Sequence, residues 1–345
     1  WVQDEAHHLL QTNKWGDAAA LFPNAKGLGV TATPTRADGK GLGRHADGLF
    51  DDMYVGPSMR ELISMGYLTD YRIFAPPSDL DLEGVKVTGT GEFSPTQLKQ
   101  RVQKSHIVGD VVKHYLRLAR GKLGVTFVDS IETAGNIAKE YRAAGVPAEV
   151  VTGETPDNIR AEILGRFKRR EILQLVNVDL FGEGFDLPAI EVVSMARPTQ
   201  SYSLYAQQFG RALRLMIPDI LAGSWDTYTD EQRRQFIAES SKPCAIIIDH
   251  VGNFMRHGRP DTPKDWTLDR REKRSKKKRD PDDLPMKSCP ACTGEYEAFR
   301  LSCPHCGHVP VPTVRSAPPL SNRAPNYTKP TTTRPPHTHT HYTTR

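Results

Sequence analysis

Residues 175–214 read LVNVDLFGEGFDLPAIEVVSMARPTQSYSLYAQQFGRALR, and the end of that stretch decides how the remainder is read. If residues 203–215 form a helix, Gln207, Gly210, Arg211 and Arg214 stand at i, i+3, i+4 and i+7, which is one face. Such a stripe is ordinarily apolar and turned to a core. Here it carries an amide, a glycine and two guanidiniums. Guanidinium forks match phosphate oxygens, so two arginines about a turn apart on a glycine-thinned face suit an anion with several oxygens. A solvated basic face is the alternative. Upstream, residues 172–178 are an apolar strand candidate, followed by Gly182-Glu183-Gly184-Phe185-Asp186-Leu187-Pro188. Glycines after a strand let the backbone approach a ligand closely, and Asp186 adds a carboxylate at the same strand end.

Further out, the chain opens with Asp4-Glu5-Ala6-His7, and Thr31-Ala32-Thr33-Pro34 closes a buried strand expected at 27–31. In this order and spacing the four motifs resemble motifs II (the DEAH box), III, V and VI of superfamily 2 helicases, over residues 1–268. Within that group the chain resembles bacterial and phage enzymes of the restriction-subunit type. The resemblance implies tandem RecA-like P-loop NTPase domains with ATP between them, and it implies roles. Asp4 would hold Mg²⁺, Glu5 would polarise the attacking water, and His7 would couple the nucleotide site to the Gln207 face. Gly184, Asp186 and Gly210 would approach the nucleotide. Arg211 and Arg214 would reach its γ-phosphate. Thr31, Thr33 and Ser130 would relay to nucleic acid. Val178 stands where motif V more often has a hydroxyl residue, which puts one backbone contact in question. Two carboxylates heading a helix are the plain alternative for Asp4 and Glu5.

No G-x-x-x-x-G-K-[ST] loop occurs in the 345 residues; Gly39-Lys40-Gly41-Leu42-Gly43 lacks the hydroxyl and follows Asp4-Glu5 instead of preceding it. A DEAH box ordinarily follows buried β residues, so the front of the first domain is expected to be missing.

From residue 123 the pattern alternates strand and helix. Strands are expected at 123–128, 148–151, 172–178, 190–194 and 245–249, with helices at 106–120, 131–144 and 157–168. Near-continuous apolar strands between helices imply a parallel sheet covered on both faces, with ligands at the strands' C-terminal ends. The fold class is therefore α/β. Residues 1–75, ending in a strand at 68–75, are the rear of the first RecA-like domain. Residues 76–105 are the linker and 106–268 the second domain. A basic linker follows at 269–286, a zinc ribbon at 287–308 and a disordered tail at 309–345.

The net charge is +5, but residues 270–279 (RREKRSKKKR) hold eight basic side chains and one acid. Such a run is a solvated tether or a phosphate-binding arm. Cys289-x2-Cys292 and Cys303-x2-Cys306, ten residues apart, form two knuckles suited to Zn²⁺. So short a segment lacks a core of its own and needs the metal. No run of 18 apolar residues and no signal-peptide pattern is present, so no membrane span is expected; the localisation expected is cytoplasmic and nucleoid-associated.

The function expected is an ATP-dependent DNA helicase or translocase, with DNA ahead of RNA as its track and ATP, Mg²⁺ and Zn²⁺ as cofactors. The rivals are a motor subunit with a nuclease or repair partner, and a non-catalytic nucleic-acid or protein-binding module derived from a helicase.

Overall fold

The computed structural model describes residues 1–178, 187–270 and 284–310. Strand β1 (Val2–Asp4) pairs in parallel with β2 (Leu28–Val30), and helix α1 (Lys14–Ala20) lies between them, capped by the Asn13 side chain. Helix α2 (Met59–Ser64) carries a capping box between Ser58 and Glu61. It ends at Gly66 (φ 76), whose N–H reaches Ile63 while Tyr67 N–H reaches Leu62. This turn demands a left-handed residue, which glycine supplies without a Cβ clash. Strand β3 (Tyr71–Phe74), α3 (Pro95–Lys104), α4 (Ile107–Leu118), β4 (Gly124–Phe127), α5 (Ile131–Ala143), β5 (Ala148–Thr152), α6 (Asp157–Lys168) and β6 (Gln174–Val178) follow. Then come β7 (Val192–Met195), α7 (Tyr202–Gly210), the short α8 (Asp219–Ala222), α9 (Asp230–Glu239), β8 (Ala245–Asp249) and α10 (Asn253–His257). The antiparallel pair β9 (Met286–Ser288) and β10 (Glu295–Glu297) closes the described chain.

Six strands form one parallel sheet in the order β3-β8-β7-β4-β6-β5. Val125 faces Leu175 on one side and Val193 on the other, and Val193 faces Ile247. Every residue of β4, β6 and β7 is buried, as a sheet covered on both faces requires. Val111 and Tyr115 of α4 and Ala134, Ile137, Ala138 and Tyr141 of α5 pack into its core. The amphipathic spacing of those residues is what makes both segments helical and core-seeking.

Four expectations need correction. Residues 68–75, read as the last strand of the first domain, supply β3, the edge of the six-stranded sheet paired to β8. An apolar run identifies a strand but not its partner. The strand at 27–31 is not buried: Leu28 is 58% and Val30 43% exposed, because β1 and β2 form a two-stranded sheet with no further strand among the described residues. Residues 76–105 are more than a linker, since α3 inserts Leu98 and Val102 into the main core. The helix expected over 203–215 stops at Gly210. Beyond it the bonds tighten to Ala212 N–H→Phe209 and Leu213 N–H→Gly210, and Thr69 N–H takes the Leu213 carbonyl that another helical turn would need. The tail at 311–345 and most of the basic run, 271–279, lie outside the described residues.

Candidate nucleotide and nucleic-acid site

Asp4 ends β1, exposed, with its carboxylate accepting the Glu5 backbone N–H at 2.8 Å. Glu5 is left-handed (φ 49), a conformation uncommon for a residue with a Cβ. It turns the chain into a single 3₁₀ turn, Ala6–His8, and points the Glu5 side chain at α7. There Glu5 Oε2 accepts from Gln207 Nε2 at 3.1 Å. His7, buried, stands 3.4 Å from the same carboxylate oxygen and 3.0 Å from the Thr31 hydroxyl. The His7 carbonyl accepts from Arg36, whose guanidinium also pairs with Asp38. Thr33, 3% exposed, hydrogen-bonds through its hydroxyl to that of Ser203, one turn before Gln207 on the same face of α7.

The structure thus brings Glu5, His7, Thr31, Thr33 and Gln207 into one connected set. The side chain that reaches Gln207 by a direct hydrogen bond is Glu5, with His7 behind it. Arg211, buried, is the C-cap of α7, and Arg214 lies half-buried past the helix end. The two do not share the helical face expected of them. Gly210 is the last helical residue. Ser130 caps α5, its hydroxyl accepting from Thr133 N–H at 3.2 Å and bonded to the Thr133 hydroxyl at 2.9 Å. Gly184 and Asp186 lie outside the described residues.

Several residues at this site carry no motif. The Glu92 carboxylate binds Thr199, Gln200 and Ser201 just before α7. Asn253 and His257 grip the 197–199 segment, Asn253 by accepting from Thr199 N–H at 3.1 Å and donating to the Arg197 carbonyl at 2.9 Å. Tyr205 of α7 donates to the Gly258 carbonyl. The polar stretch 249–258 therefore serves the α7 segment. Its place after a strand leaves contact with nucleic acid, contact with the Arg211 helix and a plain structural loop all open, and its hydrogen bonds go to α7 and the segment before it. Lys242 is buried against the Pro188 and Arg214 carbonyls.

The sulfurs of Cys289, Cys292, Cys303 and Cys306 all lie within 4.8 Å of one another. Cys289–Cys306 and Cys292–Cys303 are 3.6 and 3.7 Å apart. Zinc–sulfur bonds of about 2.3 Å in a tetrahedron would set sulfurs about 3.8 Å apart, so the four thiols fit such an ion. Each knuckle is closed by backbone bonds, Thr293 N–H to Cys289 and Gly307 N–H to Cys303, with Gly307 at φ 75. The module is seated on the sheet edge: Gly294 bridges Phe74 of β3, Ala75 N–H donates to Thr293, and Arg117 of α4 donates to the Thr293 hydroxyl.

Residues 92–216 match the family described as the helicase conserved C-terminal domain. The chain is similar to a 51.5 kDa protein of a Lactococcus phage, 32% identical over 89% of this chain and 61% of that protein. It is also similar to IRC3 of Saccharomyces cerevisiae, 29% identical over 62% of this chain and 32% of IRC3. Among solved structures, it aligns with a fragment of an HsdR subunit of a type I restriction enzyme from Vibrio vulnificus. That alignment has a TM-score of 0.48 at 23% identity and covers 72% of this chain and 44% of that one. The chain thus spans about three fifths of the phage protein and a third of IRC3. Among the described residues no helix is long and apolar enough to cross a membrane.

Proposed function

We propose that this chain, which is superfamily 2 helicase-like, carries the second RecA-like domain and part of the first of a motor that hydrolyses ATP to move along DNA. The observation that carries the reading is the Glu5–Gln207 hydrogen bond, which ties the Asp4–His7 segment to α7 across 202 positions. A motor needs such a link, because hydrolysis at one motif has to be felt at another.

In this reading Asp4 holds Mg²⁺ and Glu5 orients the attacking water. Gln207 senses the Glu5 carboxylate, and Arg211 and Arg214 stabilise charge on the γ-phosphate, with Gly184, Asp186 and Gly210 beside the nucleotide. Bound Mg²⁺ and ATP supply the electrophilic phosphorus and its charge neutralisation. His7, Thr31, Thr33 and Ser203 form a polar relay running from Glu5 to α7. Ser130, at the N-terminus of α5, faces nucleic acid, gripping backbone and not bases. The four cysteines hold one Zn²⁺.

The test is Glu5→Gln in the intact protein, including whatever segment supplies its phosphate loop. The amide keeps the shape and the contact to α7 but cannot polarise water. DNA-stimulated turnover should vanish while ATP binding stays within about 3-fold. Retained turnover, or lost binding with normal hydrolysis per bound ATP, refutes the reading.

A further inference from the structure

Helix α7 is short, and the two arginines assigned to it lie at or beyond its end. What holds them in place is therefore not the helix alone. At the upstream end, Glu92 Oε1 accepts from the Thr199 hydroxyl at 2.5 Å and the Ser201 N–H at 2.7 Å, while Oε2 accepts from the Gln200 N–H at 3.2 Å. Ser201 is the N-cap of α7, so one carboxylate gathers three donors where the helix dipole is positive. Glu92 comes from the stretch ahead of α3, 109 positions before Ser201.

At the downstream end, Lys242 is 1% exposed. Its ammonium donates to the Arg214 carbonyl at 2.5 Å and to the Pro188 carbonyl at 2.8 Å. Pro188 closes the segment that holds Gly184 and Asp186. A buried ammonium is costly, and an apolar side chain of equal length would fill the space at less cost. No such side chain could bond to two carbonyls on separate segments. Burial pushes the Lys242 pKa down to about 7.

We infer that Glu92 and Lys242 are positioning residues that pin the two ends of the 199–214 segment, so that Gln207, Arg211 and Arg214 are presented in one arrangement. Neither side chain touches the nucleotide in this scheme; both act through α7. The inference rests on the motor reading for its catalytic consequence, and on the hydrogen bonds alone for its structural one.

The test uses Glu92→Gln and Lys242→Met in the intact protein, with two readouts. The first is kinetic. Each substitution should lower kcat by about 10-fold or more with the ATP KM changed less than about 3-fold, since a charge-assisted bond of this kind is worth that much in placement. In an Arg211→Ala background each should lower kcat by less than it does alone, because one of the three side chains they place is gone. The second is amide hydrogen exchange, which should quicken over 201–214 and stay unchanged over 245–249. Unchanged kcat together with unchanged exchange overturns the inference. So does a full additional loss in the Arg211→Ala background, or exchange raised across the whole sheet. If Lys242→Met fails to fold, Glu92→Gln, at a half-buried residue outside the sheet, still decides. If the unsubstituted protein shows no DNA-stimulated ATPase, the motor reading falls and the exchange result alone decides whether the ends are pinned.

Discussion

Glu5 and Gln207 stand 202 positions apart and are joined by a 3.1 Å hydrogen bond, with His7 3.4 Å from the same carboxylate oxygen. A parallel contact lies one turn back along α7, where the hydroxyls of Thr33 and Ser203 meet in a buried pocket. Two links between the same pair of segments make the approach of residues 1–35 to α7 specific, since both must be satisfied by one docking geometry.

The Thr33–Ser203 contact yields the first prediction. Both residues are buried, at 3% and 6% exposure, so losing one hydroxyl leaves the other without a partner. Thr33→Val and Ser203→Ala should each cost about 1–2 kcal/mol, and the double variant little more than either alone. Denaturant midpoints for the four proteins measure this. Costs that add to within about 0.3 kcal/mol would mean the two hydroxyls are independent.

The second prediction concerns the cysteine module. Cys303→Ser should abolish binding of one zinc per chain, read by metal analysis of anaerobically purified protein. The module's backbone is joined to Phe74 and Ala75 at the sheet edge, so the loss should spread beyond residues 287–308. Exchange of the Ala75 N–H, which donates to the Thr293 carbonyl at 2.9 Å, should accelerate with it. Cys244→Ser, at the thiol outside the cluster, should leave zinc in place. Zinc-free wild-type protein, or an Ala75 amide indifferent to Cys303→Ser, would contradict this.

A third prediction comes from His250. It is 2% exposed, neither ring nitrogen has a hydrogen-bond partner, and its ring stacks on His114 at 5.4 Å. Burial, with the His114 ring beside it, pushes its pKa down from 6.5 to about 3. The unfolded chain therefore takes up this proton near pH 6.5, while the folded chain refuses it until about pH 3. Stability from this group is complete above the unfolded value and is lost steadily as pH falls between the two. At pH 5 the loss should be about 2 kcal/mol. Urea unfolding at pH 7.5 and 5 should show a smaller acid penalty for His250→Phe than for the unsubstituted chain. Equal penalties would remove His250 from the account.

Much of this was legible beforehand, and the unread part has a common cause. The helix at 157–168 and the strand at 245–249 match α6 and β8 residue for residue, because their signals are local: a stretch of mostly helix-favouring side chains after Pro156 in one, an almost unbroken apolar run in the other. The four cysteines, and the Glu5, His7, Thr31, Thr33 and Gln207 side chains that the structure brings together, also stand out in the sequence, since each carries its own chemistry. Pairing partners were not. Nothing local in Tyr71–Phe74 says that it lies beside β8. Nothing in Glu92 or Lys242 marks them off from surface charges until their bonds to the α7 segment are seen. The end of α7 was misplaced for the same reason, because the Leu213 and Arg214 carbonyls just beyond it are taken by Thr69 and Lys242, residues distant in sequence.

The last prediction addresses Arg211 and Arg214 themselves. If they stabilise charge on a phosphate held largely by the other domain, Arg→Ala at either should lower kcat by at least about 10³ with only a modest change in ATP affinity, because the contact is strongest in the reacting state. Arg→Lys should rescue poorly, since a point charge does not reproduce a two-pronged guanidinium. The structure separates the two arginines in one respect. Arg211 is the buried C-cap of α7, whereas Arg214 is half-buried past the helix end with its carbonyl held by Lys242. Arg211→Ala should therefore also cost stability, and Arg214→Ala much less, so Arg214 is the cleaner kinetic probe. A solvated basic face predicts changes within a few-fold and Lys as good as Arg. A nucleic-acid grip predicts a third pattern, in which DNA affinity and its salt dependence fall while DNA-independent ATPase survives. Measuring kcat, ATP affinity, DNA affinity and unfolding midpoints for both substitutions separates the three, and an unchanged kcat for Arg214→Ala would take that side chain out of the nucleotide site.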